Sequence, residues 1–200
     1  MPEVERRAQI LDAVERLLGR GGLEAVTMRE VAAEAGVSLR LVQYYGKSKD
    51  ELLTAALERM ADASVRRWHA RGEERSRDSA TPEGSVLSRV RAFLDEALPT
   101  DEAGRAFHRV GVSLELLTIT RPSAAAESYR AHLGALADHL AAILRTDPRI
   151  DAAQARRLAS EVMALAHGLG SLLMAGQLTP SDARALLDGY VDRLRPRLSD

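Results

Sequence analysis

The sequence predicts an all-α protein, and three observations carry the prediction. Ala, Leu and Arg dominate while aromatics make up 4% of the chain, a composition that favours helix over strand. Apolar residues recur at steps of three and four in segment after segment, the spacing that gathers them on one helical face. Between those segments stand Gly19, Gly36, Pro99, Pro122, Pro148, Gly176 and Pro180, residues that end helices rather than continue them. With 200 residues, 46% of them hydrophobic, the chain is long enough for one or two domains. It contains no cysteine, which excludes disulfides, zinc–thiolate centres and thiol catalysis. No basic-plus-apolar leader and no apolar run of about 18 residues occurs, so a cytoplasmic protein with no membrane partner is expected.

In chain order, Ala8, Leu11, Val14, Leu17 and Leu18, with Ile10 beside them, give a leading helix one apolar stripe, which Gly19, Gly21 and Gly22 terminate. This helix braces the two short helices next in the chain. Thr27, with Glu30 three residues on, is a capping-box start, and Met28, Val31, Ala32 and Ala35 share a face of the helix it opens. Gly36 permits the positive φ that ends a helix sharply, Val37 plugs the corner and Ser38 caps a second helix. Two short helices meeting across a turn of about three or four residues with a glycine form the helix-turn-helix pattern.

The second of these helices has the chemistry of a surface that reads DNA. Val42 and Leu41 turn toward a core, while Arg40, Gln43, Tyr44 and Tyr45 supply long donors and acceptors, and Lys47 and Lys49 come just after. No acidic residue lies between Val37 and Lys49. Arginine pairs with guanine and glutamine with adenine in the major groove, while lysine and tyrosine hold phosphate oxygens. A net charge of −1 argues against a strongly basic footprint, and the first fifty residues as a whole are not basic. Placement outweighs the total, because attraction to phosphate decays over about 8–10 Å in physiological salt. Gly46-Lys47-Ser48 has the look of a phosphate-binding loop, but Leu41 stands where that loop needs glycine and no strand precedes it.

Residues 8–57, AQILDAVERLLGRGGLEAVTMREVAAEAGVSLRLVQYYGKSKDELLTAAL, resemble the amino-terminal domain of the TetR family of bacterial transcriptional regulators. The resemblance covers the first quarter of the chain, from the leading helix to the terminal Y-x-x-S-K-x-E-L. The sequence departs from the family in having Gly46 where an aromatic is usual and Arg40 where glycine is usual. Position by position, the resemblance implies DNA contacts from Thr27, Ser38, Tyr44, Tyr45 and Lys49, with Lys47 beside them. Leu39, Arg40 and Gln43 would supply the sequence-dependent part.

Further along, Ser48 and Glu51 make a second capping box, opening a helix through Leu52, Leu53, Ala56, Leu57, Met60 and Ala61 toward Trp68. Residues 70–85 are polar and rich in turn formers and read as a solvated loop, after which Thr81-Pro82 has the form of an N-cap and first helical position. Helices are expected over roughly 83–98, 101–120, 123–145, 151–175 and 180–195. Trp68, Phe93, Phe107, Leu114, Tyr129, Met163, Met174 and His167 are candidates to line a small-molecule pocket between helices; ordinary core is the competing reading. The five histidines lack a metal spacing, since neither H-E-x-x-H nor E-x-x-H occurs, so no metal and no cofactor is expected. Leu158, Val162, Leu165, Leu169 and Leu172 form one helical seam, and Ala183, Leu187, Tyr190 and Leu194 form another. Both seams suit a helix-pair interface between subunits, and both equally suit packing within one chain.

The stretches ELLTITRPSAAAESYRAHL and GLGSLLMAGQLTPSDARALLDGYVDRL resemble the carboxy-terminal region of the family's betaine-regulator-like branch. That resemblance implies a homodimer built on a four-helix bundle of the last two helices, and an inducer pocket among the middle helices. The expected architecture is a helix-turn-helix DNA-binding domain at 1–47 and then a helical ligand-binding and dimerisation domain at 48–200. The expected function is a dimeric, one-component transcriptional repressor, not an enzyme, released from double-stranded operator DNA by a small-molecule effector. A helical small-molecule binding protein without specific DNA binding is the alternative.

Overall fold

The structure is a computed structural model that describes residues 3–77, 82–120 and 123–199. Among the described residues there are nine α-helices and no strand: α1 (Glu3–Gly21), α2 (Met28–Ala35), α3 (Leu39–Tyr45), α4 (Lys49–Arg77), α5 (Pro82–Ala97), α6 (Glu102–Thr120), α7 (Ala124–Leu144), α8 (Ala152–Met174) and α9 (Pro180–Ser199). A 3-10 turn over Gly22–Ala25 joins α1 to α2. No helix among the described residues is long and apolar enough to cross a membrane. The chain divides into two compact units, one of Met1–Asp62 with Asp101–His132 and the other of Ala63–Thr100 with Leu133–Asp200. Helices α4 and α7 each contribute to both.

In the first unit the apolar stripe of α1 is buried as its spacing requires, with Ile10, Val14 and Leu18 at most 1% exposed. Val31 and Ala32 of α2, Val42 of α3, and Leu53 and Leu57 of α4 are buried in the same unit. Helix α6 closes the far side. Ala106 approaches Gly19 so nearly that a Cβ at Gly19 would sit 3.4 Å from it. The Arg109 guanidinium donates to the Gly19 carbonyl, satisfying an acceptor that the end of α1 leaves open. Arg59 of α4 reaches back to Asp12 at 2.6 Å and Glu15 at 2.7 Å on α1.

The second unit is organised around Val90 and Leu94 of α5, Leu140 and Leu144 of α7, Leu158 and Val162 of α8, and Leu187, Leu194 and Leu198 of α9, all at most 1% exposed. Asp147 links α7 to α8: it is 4% exposed, and its carboxylate accepts from the Arg149 side chain at 2.8 and 2.7 Å. Asp151 then caps α8, accepting from the Gln154 N–H at 2.7 Å. Gly176, at φ 70°, closes α8, with the Gln177 N–H bonded to the Leu172 carbonyl at 2.9 Å.

Two expectations need correction. Residues 70–77 are helix, not loop, because α4 continues to Arg77. Arginine and glutamate are good helix formers, and the polar face of this extension is tied to α5. Arg67 and Arg71 converge on Glu96 at 2.7 and 2.6 Å, and Arg75 reaches Asp95 at 2.7 Å. Thr81 and Pro122 lie outside the described residues, so the expected Thr81 cap does too, whereas Pro82 is the first residue of α5. At the carboxy end α9 runs on to Ser199 through Pro196, held by the buried Leu198.

Candidate nucleic-acid interface

The helix-turn-helix forms through the caps that the sequence contains. The Thr27 hydroxyl accepts from the Glu30 N–H at 3.1 Å and the Ser38 hydroxyl from the Leu41 N–H at 3.3 Å. Gly36, at φ 63°, lets the Val37 N–H return to the Ala32 carbonyl at 3.0 Å, so α2 stops and α3 departs at a sharp angle. Gln9 of α1 donates to the Ala35 carbonyl at 2.8 Å, pinning the corner from behind. At the other end of α3 the Lys47 N–H donates to the Glu51 carboxylate at 3.0 Å and the Glu51 N–H to the Ser48 hydroxyl at 3.1 Å, and these two bonds start α4.

This frame sets which side of α3 faces solvent. Val42 is buried, so Arg40, Gln43 and Tyr44, at i, i+3 and i+4, emerge together on the opposite side. All three are exposed, Tyr44 at 70%, and Lys47 extends the stripe beyond the helix end. Tyr45 is half-buried and meets Tyr44 edge-on with ring centroids 5.1 Å apart. Leu39 is half-buried, and Thr27 and Ser38 are exposed. Lys49 behaves differently, since its ammonium donates to the Leu23 carbonyl at 2.7 Å and secures the start of α4 to the 3-10 turn. Arg29, exposed on the first turn of α2, adds a cation that its acidic neighbour Glu30 masks in the sequence.

Electrostatics resolve the absence of net basicity. Several acids of this unit are engaged internally. Glu34 takes Arg16 at 2.6 Å and also Arg20, and these hydrogen bonds, Arg16 first, hold its carboxyl below the usual carboxylate range. Asp12 and Glu15 are held by Arg59, Glu51 by the Lys47 N–H and Asp50 by the Ala124 N–H at 3.0 Å. Arg29, Arg40 and Lys47 have no ion-pair partner among the described residues. These three outward-facing cations are therefore left uncompensated by direct ion pairs. Gly46 has extended backbone, and Leu52 occupies the space beside it, so that a Cβ at Gly46 would fall 2.3 Å from Leu52 Cδ2. Here a core leucine takes the room next to α3 that an aromatic would need.

The pocket candidates separate. Phe107, Leu114 and Tyr129 belong to the first unit, whereas Trp68, Phe93, Met163 and His167 belong to the second. Leu114 is core at 1% exposure. Tyr129 is buried against Gly111, and burial, with Glu115 adding to it, pushes its hydroxyl up to about 12. In the second unit Trp68 donates to the Arg89 carbonyl at 2.9 Å and meets Phe93 edge-on at 5.0 Å. Trp68 also lines a cleft of about 220 Å³ with His69, Gly72, Glu73, Arg89, His139 and Ile143. Met163 packs against the core of that unit, and His167 is exposed on α8. Nothing in the sequence singles out His69 and His139 as a pair. Seventy residues separate them, and no spacing signal bridges that distance.

The helix seams are taken up largely within the chain. Leu158, Val162, Leu169, Leu187 and Leu194 are at most 5% exposed and Leu165 and Tyr190 pack against the same core, so the seams hold α8 and α9 to their own chain. Leu172, at 45%, is the exposed exception. The accessible face of α8 runs instead through Ser160, Ala164, Gly168 and Leu172, and that of α9 through Leu186, 48% exposed, and Gly189.

Residues 10–56 match the family described as bacterial regulatory proteins, tetR family, and residues 86–196 match the BetI-type transcriptional repressor, C-terminal. The HTH-type transcriptional regulator BetI of Burkholderia mallei (strain NCTC 10229) is 31% identical over 198 residues, spanning 94% of this chain and 93% of the relative. A solved TetR-family transcriptional regulator from Rhodococcus sp. superposes with a TM-score of 0.79 at 22% identity, over 96% of this chain and 99% of that one. A transcriptional regulator from Saccharomonospora viridis, solved in complex with choline, superposes with a TM-score of 0.72 at 24% identity, over 99% and 95%. The capped helix-turn-helix and the helical remainder thus each find their counterpart, and the chain belongs to the TetR family of bacterial regulatory proteins, as a DNA-binding, ligand-responsive transcriptional repressor and not an enzyme.

Proposed function

We propose that a cytoplasmic homodimer of this chain represses by placing α3 of each subunit in successive major grooves of a palindromic operator, with half-sites about 34–36 Å apart. The observation that carries this reading is the exposed stripe of Arg40, Gln43 and Tyr44 on a helix whose other side is fixed by Val42. Arg40 and Gln43 read base edges with Leu39 beside them. Tyr44, Lys47, Arg29, Thr27 and Ser38 hold phosphates, and Tyr45 and Lys49 position the helix. Residues 1–47 carry the DNA contacts and 48–200 carry effector binding and dimerisation.

The dimer forms through the accessible faces of α8 and α9, where Ala164, Gly168 and Gly189 permit close approach and Leu172 and Leu186 supply apolar area. A small-molecule effector acts by population shift. It binds better to the conformer whose two α3 helices are wrongly spaced for the operator, and it can shift the equilibrium only by its differential affinity. Trp68 and Phe93 mark the effector region of the second unit, and the choline-bound relative supports a small organic ligand. The test is binding to a labelled duplex from the chain's own upstream intergenic region, across a salt series with competitor DNA. Saturable binding that survives competitor, falls with salt and is relieved by a small molecule is expected. Binding abolished by competitor at every salt concentration would refute the operator reading.

A further inference from the structure

The cleft beside Trp68 contains a pair of groups that DNA recognition does not use. His69 Nε2 and His139 Nε2 stand 2.9 Å apart, with ring centroids 4.8 Å apart, and both residues reach solvent. At that distance one imidazole donates its Nε2 proton to the bare Nε2 of the other, so two good ligand atoms already converge on one proton. Imidazole nitrogens bound at about 2.0–2.1 Å to a shared ion lie about 2.9 Å apart when they subtend a right angle, and about 3.3 Å at the tetrahedral angle. The observed spacing is that of two adjacent positions on a square-planar or octahedral ion.

We propose that His69 and His139 form a chelating site for a late first-row divalent ion of the Cu²⁺ or Ni²⁺ class, clamping α4 to α7. Imidazole suits these ions better than Mg²⁺ or Ca²⁺, which prefer oxygen. Among the described residues no group of three or more histidine, cysteine, aspartate or glutamate side chains is gathered closely enough to hold an ion, so water fills the remaining positions. Glu73 on the same cleft favours a cation and Arg89 opposes it. The Trp68 ring, edge-on to His139 at 4.9 Å, limits the directions that ring can turn.

The protons balance simply. When the pair is neutral, the ring that donates moves its proton from Nε2 to Nδ1 through solvent, and binding releases no net proton. When the pair carries one extra proton, binding releases it, so affinity falls as pH falls.

The test is a calorimetric titration of the full, untagged chain, first stripped with chelator, with CuCl₂ and NiCl₂ near neutral pH. One equivalent per chain is expected, with a visible absorption band for the copper form and a melting temperature that rises with ion concentration. His69→Asn and His139→Asn should each weaken binding by about tenfold or more and abolish the melting shift, while His108→Asn keeps both. Circular dichroism establishes that each variant is folded. A folded wild type that takes up no ion, or ion binding unchanged by both substitutions or equally lost in His108→Asn, overturns the site. No DNA enters the assay, so its failure is independent of any failure of the operator reading.

Discussion

Arg40, Gln43, Tyr44 and Lys47 share one exposed edge, yet their side chains differ in what they can distinguish. Gln43→Ala is expected to relax preference at one base pair and to cost about 1–3 kcal/mol on the matched operator. Lys47→Ala is expected to weaken all sequences alike and to flatten the slope of log affinity against log salt by about one unit. Fluorescence anisotropy on matched and mismatched duplexes at several salt concentrations separates the two. A second consequence concerns pH. Burial, followed by His69 and Arg89, holds the His139 imidazole below its ordinary value, and burial, opposed by Asp62, does the same for His132. The unfolded chain therefore takes up these protons at higher pH than the folded one. Stability is complete above the ordinary imidazole value of 6.5 and drains away as pH falls through the lower folded values. Unfolding free energies from urea titrations, measured from about pH 7.5 down to about pH 5.5, should fall modestly, since solvent screens these partly exposed rings. The slope should be shallower in a His132→Gln/His139→Gln double variant.

Elements are more legible in the sequence than the contacts that place them. The capping signals at Thr27, Ser38 and Ser48 are local, so they can be read directly, and each hydroxyl accepts the backbone proton its position implies. The continuation of α4 is not legible, because ARGEERSR reads as solvated unless its arginines are known to meet Asp95 and Glu96 about twenty to thirty residues on. The tie from Lys49 to the Leu23 carbonyl is hidden for the same reason, its partner being 26 residues away. The dependence of α4 on these distant acids is testable. The Glu96 side chain is 7% exposed and receives two guanidinium groups, and hydrogen bonds to charged groups contribute about 1.5–3 kcal/mol each. Glu96→Ala is expected to loosen the last two turns of α4, raising amide hydrogen exchange over residues 70–77 by about tenfold or more. Exchange in α1 and α2 should be unchanged.

For the whole molecule, the distinction between core leucines and exposed leucines predicts two separable phenotypes. Leu158→Ala removes a side chain with no exposure and should cost about 2–5 kcal/mol of stability. Leu172→Asp with Leu186→Asp alters exposed positions, so the fold should survive while sedimentation velocity reports a shift from dimer to monomer and operator affinity drops. If the paired aspartates leave the sedimentation coefficient unchanged, the dimer lies on another face. Helical seams alone could not distinguish these roles, since burial against one's own chain and against a copy impose the same three-and-four spacing.

The leading helix does not complete its own unit. Its Gly19 carbonyl accepts from Arg109, and Val110 and Leu114 of α6 are buried in a unit begun about a hundred residues earlier. Recombination that exchanged the first 47 residues between relatives would therefore transplant a reading head without its floor. Successful hybrids would have to inherit the matching stretch of α6 as well, which ties the inheritance of the helix-turn-helix to a helix far along the chain.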